Sequence, residues 1–273
     1  MWYIAKNEFN FYFKSFTAYL VIGSYLTINT LILWFFDTPY NFLNYEIVDI
    51  NLFFEISPWL LMILICSLSM GSFSREVSSG TIELLVTKPL NANEIFEGKF
   101  LGITFIFCVC IFMNIFNIVA LNSLLTFESE LDLSLIFSSY FGLFLIGLIF
   151  ISISLFCSIL FGNQVASFLT AFILCNFQYF FWDFLASLVT NPWSFKIVSH
   201  IGIKTHYVGL SHGIIKLEDI VYLIGLIVII HMLGINQIKK GQSYNLDCLN
   251  YFSHKLKTKD DTFFYSPFLI FSP

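Results

Sequence analysis

Residues 133–182 read LSLIFSSYFGLFLIGLIFISISLFCSILFGNQVASFLTAFILCNFQYFFW, which is 50 consecutive positions without one charged side chain. A single membrane-spanning helix needs about 20 apolar residues, so this stretch is too long for one span and about right for two. Its only polar break is the sequence FGNQ at 161–164. We place a tight turn there, which predicts helices near 135–160 and 165–182.

Charged residues mark the remaining spans. A charge at the bilayer centre costs at least ~2.5 kcal/mol, so a long uncharged gap between two charges predicts a span. Four further gaps contain 22, 19, 28 and 19 uncharged residues. Each gap is long enough to cross about 30 Å of hydrocarbon as a helix. The predicted spans are about 16–36, 56–74, 101–124, 135–160, 165–182 and 220–238.

The composition of the whole chain agrees with a membrane environment. Of the 273 residues, 58% are hydrophobic and 11% charged, against roughly 45–50% and about 25% in an ordinary soluble domain. The 35 phenylalanines make this apolar surplus heavily aromatic, and a water-soluble fold could not bury so much apolar surface. A formal net charge of -5 argues against nucleic-acid binding. We therefore predict an all-α polytopic membrane protein with six transmembrane helices.

The distribution of lysine and arginine predicts the orientation. Ten of these residues lie on one side if the N-terminus, the 75–99 loop, the 161–164 turn and the C-terminal tail share that side. Only three, Lys196, Lys204 and Lys216, lie on the other. Because positively charged loops remain on the cytoplasmic side, both termini are predicted to be cytoplasmic.

The predicted spans contain no carboxylate, lysine or arginine, and His231 is their one histidine. This argues against a proton relay or secondary transporter, and no Ser, Asp or His constellation suggests an intramembrane enzyme. We expect His231 to be satisfied by a neighbouring helix. The amide side chains of the predicted spans are either interhelical hydrogen-bond formers or pore-lining groups, and these are Asn29, Asn114, Asn117, Asn176 and Gln178.

The sequence does not favour a disulfide, metal or cofactor site. Five of the six cysteines lie inside apolar runs and are interpreted as small hydrophobic residues. His200, His206 and His212 are spaced by six, which does not place them on one helix face. A folded external cap over residues 183–219 is the preferred interpretation of that loop.

The 75–99 loop is predicted to contain a short helix. Gly80 and Thr81 can open it and Pro89 disfavours its continuation, which brackets a helix of about 81–87. Asn91 and Glu94 have the spacing of a capping box, whose helix would run through Lys99 into the third span.

Two interpretations of the 81–87 helix remain open. It is amphipathic, with Ile82, Leu85 and Val86 on one side and Glu83 on another. An interfacial helix would lie in the headgroup layer, but such helices usually carry Lys or Arg on the polar face. The acidic Glu83 fits a protein partner somewhat better.

These residues carry a resemblance to a known family. The sequences SRE at 74–76, GTIELLVTKPL at 80–90 and EIFEGK at 94–99 resemble permease subunits of type-2 ABC exporters. Within that family they are most similar to the gliding-motility-associated permease of Bacteroidetes-type bacteria. The segments GIKTHY at 202–207, GII at 213–215 and EDIVY at 218–222 are similar to the segment before its last span. EF at 8–9 and YFKS at 12–15 resemble its opening amphipathic helix, although Phe16 stands where the family often has proline.

The resemblance implies a non-catalytic permease subunit of the bacterial inner membrane that forms part of a translocation path. Its 75–99 loop would carry a coupling helix that docks in a cleft of a separate ABC ATPase subunit. The chain lacks the G-x-x-x-x-G-K-[ST] loop that cradles ATP phosphates, so ATP would bind to that partner and this chain would need no cofactor. The residues expected to dock the ATPase are Arg75, Gly80, Thr81, Glu83, Leu84, Pro89, Glu94 and Lys99.

The predicted organisation is a six-span permease domain at 1–240 followed by a cytoplasmic tail at 241–273. The tail is expected to be partly disordered, with Lys255, Lys257 and Lys259 near anionic membrane lipid. Six spans are half of the usual twelve, which implies a second permease copy or a paralogue. The alternative function is a membrane scaffold or assembly factor that recruits a cytoplasmic partner. The transported substrate does not follow from the sequence.

Overall fold

The structure, a computed structural model, describes residues 1–41, 50–79, 91–124 and 132–263, with residues 241–263 described by their backbone alone. All regular secondary structure in these ranges is helical. The helices are α1 (Trp2–Lys14), α2 (Phe16–Trp34), α3 (Asn51–Ser78), α4 (Ala92–Leu124), α5 (Leu133–Leu160), α6 (Gln164–Asn176), a π-helical turn (Phe177–Phe181), α7 (Trp182–Ser187), α8 (Pro192–Ser199), α9 (Ile203–Ser211) and α10 (Leu217–Phe263).

Five helical segments have the length and apolarity of a membrane span. They are Asn51–Ser78, Ala92–Ser123, Leu133–Leu160, Gln164–Ser187 and Leu217–Lys240. A sixth candidate is the pair formed by α1 and α2, which meet at an angle of 73°. The prediction of an all-α, multi-pass membrane protein is confirmed.

The turn inside the long uncharged stretch lies where the sequence places it. α5 ends at Leu160 and α6 begins at Gln164. The Asn163 side chain accepts a hydrogen bond from the Val165 N–H at 2.9 Å, which satisfies one of the free N–H groups at the start of α6. The polar FGNQ segment therefore separates two helices within one continuous uncharged stretch.

Several helices extend beyond the spans predicted from charge. α3 begins at Asn51 and ends at Ser78, whereas the predicted span is 56–74. α4 already begins at Ala92, as the predicted capping box requires, and α10 continues to Phe263. Charges limit the lipid-embedded part of a helix but not its backbone hydrogen bonds, so helices continue past the hydrocarbon edge. Residues 264–273 lie outside the described residues, and disorder in the tail stays a prediction.

α5 lies at the centre and contacts α3, α4, α6, α9 and α10. Small hydroxyl residues bring its backbone close to α3. Ser158 Oγ accepts hydrogen bonds from the Phe73 and Ser74 N–H groups at 3.0 and 3.1 Å, and Ser154 Oγ lies 3.4 Å from Cys66 Sγ. Small and hydroxyl side chains at helix interfaces are typical of membrane proteins, where close backbone approach replaces a hydrophobic driving force.

The helices between α6 and α10 form the folded cap expected from the sequence. Tyr207 of α9 donates a hydrogen bond to the Phe54 carbonyl at 2.6 Å, and Ser139 of α5 donates to the Ser211 carbonyl at 2.8 Å. Burial raises the pKa of the Tyr207 hydroxyl well above its ordinary value, so it remains a neutral donor. The cap is thereby held against the beginning of α3.

Candidate functional site

The Lys99 ammonium lies at the centre of a buried ionic cluster at the end of α3. It donates to Glu8 Oε1 and Glu76 Oε1, each at 2.7 Å, and to the Ser72 carbonyl at 2.6 Å. Only 2% of Lys99 is exposed. We call Lys99, Glu8 and Glu76 the Lys99 cluster. A buried ammonium with three oxygen acceptors at this distance has used all three of its donor hydrogens.

Each carboxylate of the Lys99 cluster comes from a different helix. Glu8 belongs to α1, Glu76 to the last turns of α3, and Lys99 itself to the second turn of α4. The side chain of Lys99 also places its ammonium 4.7 Å from the centre of the Phe73 ring, a cation–π distance. The cluster therefore ties three helices together at one point.

α1 reaches this position because α4 presents glycine to it. A Cβ on Gly98 would lie 2.7 Å from Ile4 Cβ, and a Cβ on Gly102 would lie 2.7 Å from Glu8 Cβ. Real Cβ atoms cannot approach so closely, so any side chain at these sites would push α1 away. At the other end of α1, Tyr12 donates to the Leu68 carbonyl of α3 at 2.6 Å. These contacts set the position of the Glu8 carboxylate.

Arg75 lies beside the Lys99 cluster on α3. Its Nε donates to the Gly71 carbonyl at 2.7 Å, and its guanidinium carbon is 4.3 Å from the centre of the Phe11 ring of α1. The residue is half-buried and lines a cleft of about 240 Å³ between α1 and α3, together with Asn7 and Ser79. Arg75 is thus a second link between these helices.

Glu94 lies in the first turn of α4. Its Oε2 accepts a hydrogen bond from the Asn91 N–H at 3.2 Å, which is the glutamate half of the predicted capping box. A carboxylate at this position also interacts favourably with the helix dipole. The chain therefore enters α4 in a defined direction immediately after residue 90.

The described helices bracket the predicted coupling segment on both sides. α3 is closed at Ser79, whose N–H and Oγ donate to the Arg75 carbonyl at 3.0 and 2.7 Å, and α4 begins after Asn91. The 81–87 helix lies outside the described residues, together with the site residues Gly80, Thr81, Glu83, Leu84 and Pro89. We call residues 80–90 the coupling loop.

The three predicted docking residues that the structure describes, Arg75, Glu94 and Lys99, all flank the coupling loop. Arg75 and Glu94 are half-buried. Lys99 differs, because its ammonium is enclosed by its own chain and is absent from the surface that a partner would touch. Its contribution to docking would therefore act through the helices that it joins.

Glu8 and Glu76 are members of the Lys99 cluster that the predicted docking residues did not include. Glu8 and Lys99 are 91 positions apart, so no local pattern connects them. The sequence offered only a weak indication that they pair. In a chain with 11% charged residues, an isolated glutamate on an amphipathic helix and a lysine at the end of a span are both unusual. Opposite charges at membrane edges are reasonable candidates for pairing.

The amide side chains of the spans fall into two groups. Asn29 Nδ2 donates to Asn114 Oδ1 at 3.2 Å, Asn114 Nδ2 donates to the Tyr25 hydroxyl at 2.7 Å, and Trp34 Nε1 donates to Asn117 Oδ1 at 3.3 Å. These hydrogen bonds join α2 to α4. Of the two interpretations drawn from the sequence, interhelical hydrogen-bond formers or pore-lining groups, the first therefore describes Asn29, Asn114 and Asn117.

Asn176 and Gln178 behave differently from that group. Asn176 Nδ2 donates to the Phe172 carbonyl of its own helix at 2.8 Å. Gln178 accepts from Trp182 Nε1 at 3.1 Å and donates to the Ile201 carbonyl at 3.4 Å. Neither side chain joins one predicted span to another through these bonds.

His231 is satisfied within the bundle, as expected. Its Nδ1 lies 2.9 Å from the Ile227 carbonyl of its own helix and 3.3 Å from Ser152 Oγ of α5. Its ring packs edge-on against Phe96 and Phe100 of α4. The His231 side chain therefore packs between α10 and the helices α4 and α5.

Among the three histidines between α6 and α10, His206 has both ring nitrogens within hydrogen-bond distance of neighbouring oxygens. His206 Nδ1 lies 2.6 Å from Asp219 Oδ1, and His206 Nε2 lies 2.9 Å from the His200 carbonyl. Its ring stacks on Tyr222 with 4.1 Å between centroids. His206 therefore joins α9 to the first turn of α10.

The chain matches the model of a known protein family. The model of a protein family described as ABC-2 family transporter protein matches residues 35–244, well over half of the chain. No curated protein matches the chain at a significant level.

Proposed function

The chain belongs to the ABC-2 family of transporter proteins, and from this premise we propose that a separate ATPase subunit drives it through the coupling loop. The chain is a multi-pass, non-catalytic permease component of an ABC transporter. In the proposed mechanism, an ATPase docks on residues 80–90, and its nucleotide-dependent movement displaces the ends of α3 and α4.

The Lys99 cluster is the observation that carries this proposal. It joins α1, α3 and α4 at Glu76, about one turn before the coupling loop leaves α3, and at Lys99, in the second turn after the loop enters α4. A force applied to the loop would reach three helices at once, because the ammonium is bonded to groups on all of them. Packed elements move as units, so a small displacement at this point would be transmitted along α3 and α4.

The docking surface combines residues with different roles. Glu83 and Leu84 would contact the ATPase directly, with Gly80, Thr81 and Pro89 shaping the loop. Arg75 and Glu94 would position its two ends, because their side chains hold the last turn of α3 and the first turn of α4. Lys99 would transmit the movement.

The assembly would contain a second permease subunit, either a copy of this chain or a paralogue. Up to six spans in this chain are half of the usual twelve of such transporters, and closed symmetric assemblies are the common solution for paired subunits. We place this chain in the bacterial inner membrane, with both of its termini and its coupling loop in the cytoplasm.

A link to gliding motility is the narrowest part of the proposal. It rests on the resemblance of the coupling loop and of the segments at 202–222 to the gliding-motility-associated permease. If deletion of the gene leaves surface spreading of the bacterium unchanged, the link to gliding motility is wrong. The proposed transporter function does not depend on that result.

The test is ATP hydrolysis by the reconstituted complex. The chain is co-expressed with an ABC ATPase subunit from the same bacterium, purified together with that subunit and placed in lipid nanodiscs. We expect Glu83→Ala to lower the stimulated hydrolysis rate at least fivefold, the lower end of ordinary coupling between sites. Glu218→Ala is the matched control, because Glu218 is an exposed carboxylate at the opposite end of the molecule.

The same experiment separates transporter from scaffold. If the ATPase co-purifies but hydrolysis is unaffected by both Glu83→Ala and Lys99→Met, the coupling role is wrong and the scaffold function gains support. If Lys99→Met elutes as a folded complex, retains the ATPase and loses stimulation at a temperature below its melting temperature, the transmitting role of the Lys99 cluster is supported.

A further inference from the structure

A second cavity lies at the opposite end of the molecule from the Lys99 cluster. It has a volume of about 380 Å³ and lies between the first turns of α3, the π-helical turn and α9. Glu55 at this end and Glu76 in the Lys99 cluster are 21 positions apart on α3, which corresponds to about 31 Å along the helix. The volume falls in the range of small-molecule sites, roughly 300–1,000 Å³.

Aromatic rings form one side of this cavity. The Trp59 and Phe180 rings have centroids 4.4 Å apart, and Tyr179 packs against Phe180 at 4.6 Å. Tyr179 and Phe180 belong to the π-helical turn Phe177–Phe181. Such turns interrupt α-helices rarely and occur frequently at functional sites. The irregular backbone thus contributes two of the rings that line the cavity.

One uncompensated carboxylate faces the same cavity. Glu55 lies one turn before Trp59 on α3, lines the cavity and is exposed. In the part of the chain that the structure describes, it forms no ion pair within 4.0 Å. The lysine of the cavity, Lys204, is paired with Asp183 at 3.2 Å. Glu55 is therefore the carboxylate of this cavity that a ligand can reach.

We propose that this cavity binds an organic ammonium group, carried either by a lipid headgroup or by a soluble amine. Ring faces attract cations through their quadrupole, and the Glu55 carboxylate supplies the counter-charge. The wall already accepts one cation, because Lys204 Nζ lies 5.8 Å from the centre of the Phe180 ring. A membrane-interface aromatic belt would account for Trp59 but not for a cavity that also contains a carboxylate.

The test uses choline as the probe and the permease chain without an ATPase, so its result is independent of the docking proposal. The chain is placed in phosphatidylglycerol nanodiscs, which contain no amine, and binding is followed by saturation-transfer NMR of the choline methyl protons. We expect Glu55→Gln to raise the dissociation constant about tenfold, as loss of one close charge partner would. Glu218→Gln, an exposed carboxylate outside the cavity, should leave the constant within about twofold.

A neutral isostere of choline distinguishes charge recognition from simple apolar binding. 3,3-Dimethylbutan-1-ol has the shape of choline without its charge, and we expect its signal to be weak and unchanged by Glu55→Gln. Equal binding of the two probes, or choline binding that is insensitive to both Glu55→Gln and Trp59→Leu, would overturn the proposal.

The lipid composition separates the two sources of the ammonium group. If the natural occupant is a headgroup, phosphatidylcholine or phosphatidylethanolamine nanodiscs should suppress the choline signal in the unchanged protein. If it is a soluble amine, the signal should persist in those nanodiscs. Both results support an ammonium site, whereas absence of a choline signal in phosphatidylglycerol nanodiscs contradicts it.

Discussion

Lys99 shows how one buried charge organises its surroundings. An ammonium removed from water loses several kcal/mol of hydration, which only close and well-directed acceptors can offset. Two carboxylates and one carbonyl supply these acceptors, all within 2.7 Å. Both carboxylates therefore depend on the same ammonium as their hydrogen-bond donor in the cluster.

At this scale, Lys99→Met is expected to destabilise the protein strongly. The methionine fills much of the same volume, but Glu8 and Glu76 would lose the ammonium that donates a hydrogen bond to each of them, which costs about 3 kcal/mol. The measurement is the apparent melting temperature of the detergent-purified protein, followed by size-exclusion chromatography after heating.

Two further variants make this prediction specific to charge. Lys6→Met removes an exposed lysine from α1 and should leave the melting temperature nearly unchanged. Combining Lys99→Met with Glu8→Gln and Glu76→Gln removes all three charges and should recover most of the loss. A combined variant no more stable than Lys99→Met alone would contradict an electrostatic origin.

At the scale of elements, the contact between α1 and α4 depends on glycine. Helices without a side chain at the contact can approach until their backbones touch, and Gly98 and Gly102 provide such a face one turn apart. Ala5 of α1 is 1% exposed in this contact. The close packing of α1 against α4 therefore places Glu8 beside Lys99, and the attraction between the two charged side chains is not the only cause.

Gly102→Ala should displace α1. The added methyl group would lie 2.7 Å from Glu8 Cβ, so α1 must shift, at a cost of about 1–3 kcal/mol. We expect a lower melting temperature and faster tryptic cleavage after Lys14. The matched control is Gly225→Ala, where nothing lies within 4 Å of the new Cβ and helix propensity favours alanine. Equal effects of the two substitutions would contradict the close-packing explanation.

At the scale of the whole molecule, the orientation in the membrane is predicted by the positive-inside rule alone. Ten positive residues on one side against three on the other predict cytoplasmic termini. The Lys99 cluster would then face the cytoplasm, and the aromatic cavity would face the other side.

Reporter fusions test this orientation. A green fluorescent protein joined after residue 240 should fluoresce, and alkaline phosphatase at the same position should be inactive. Fusions after residue 190 in the external cap should give the opposite pair of results. Phosphatase activity at residue 240 would show that the orientation is inverted and would place the coupling loop out of reach of a cytoplasmic ATPase.

The candidate site illustrates how far sequence patterns extend. Asn91 and Glu94 are three positions apart, so their hydrogen bond was predictable from spacing. The partners of Lys99 were not, because Glu8 and Glu76 are 91 and 23 positions away. The cavity of about 380 Å³ is lined by Glu55 of α3, Phe180 and Lys204, and no periodicity in the sequence relates these three residues.

The sequence by itself determined that this chain is a helical, multi-pass membrane protein and where the long uncharged stretch turns. It could do so because the cost of placing a charge in hydrocarbon acts on each residue separately and needs no knowledge of neighbours. Only the tertiary structure decided which helices touch, and therefore that Lys99 is an internal link and that Glu55 faces a ring-lined cavity. Such pairings depend on the rotation and spacing of helices distant in sequence, which close packing sets.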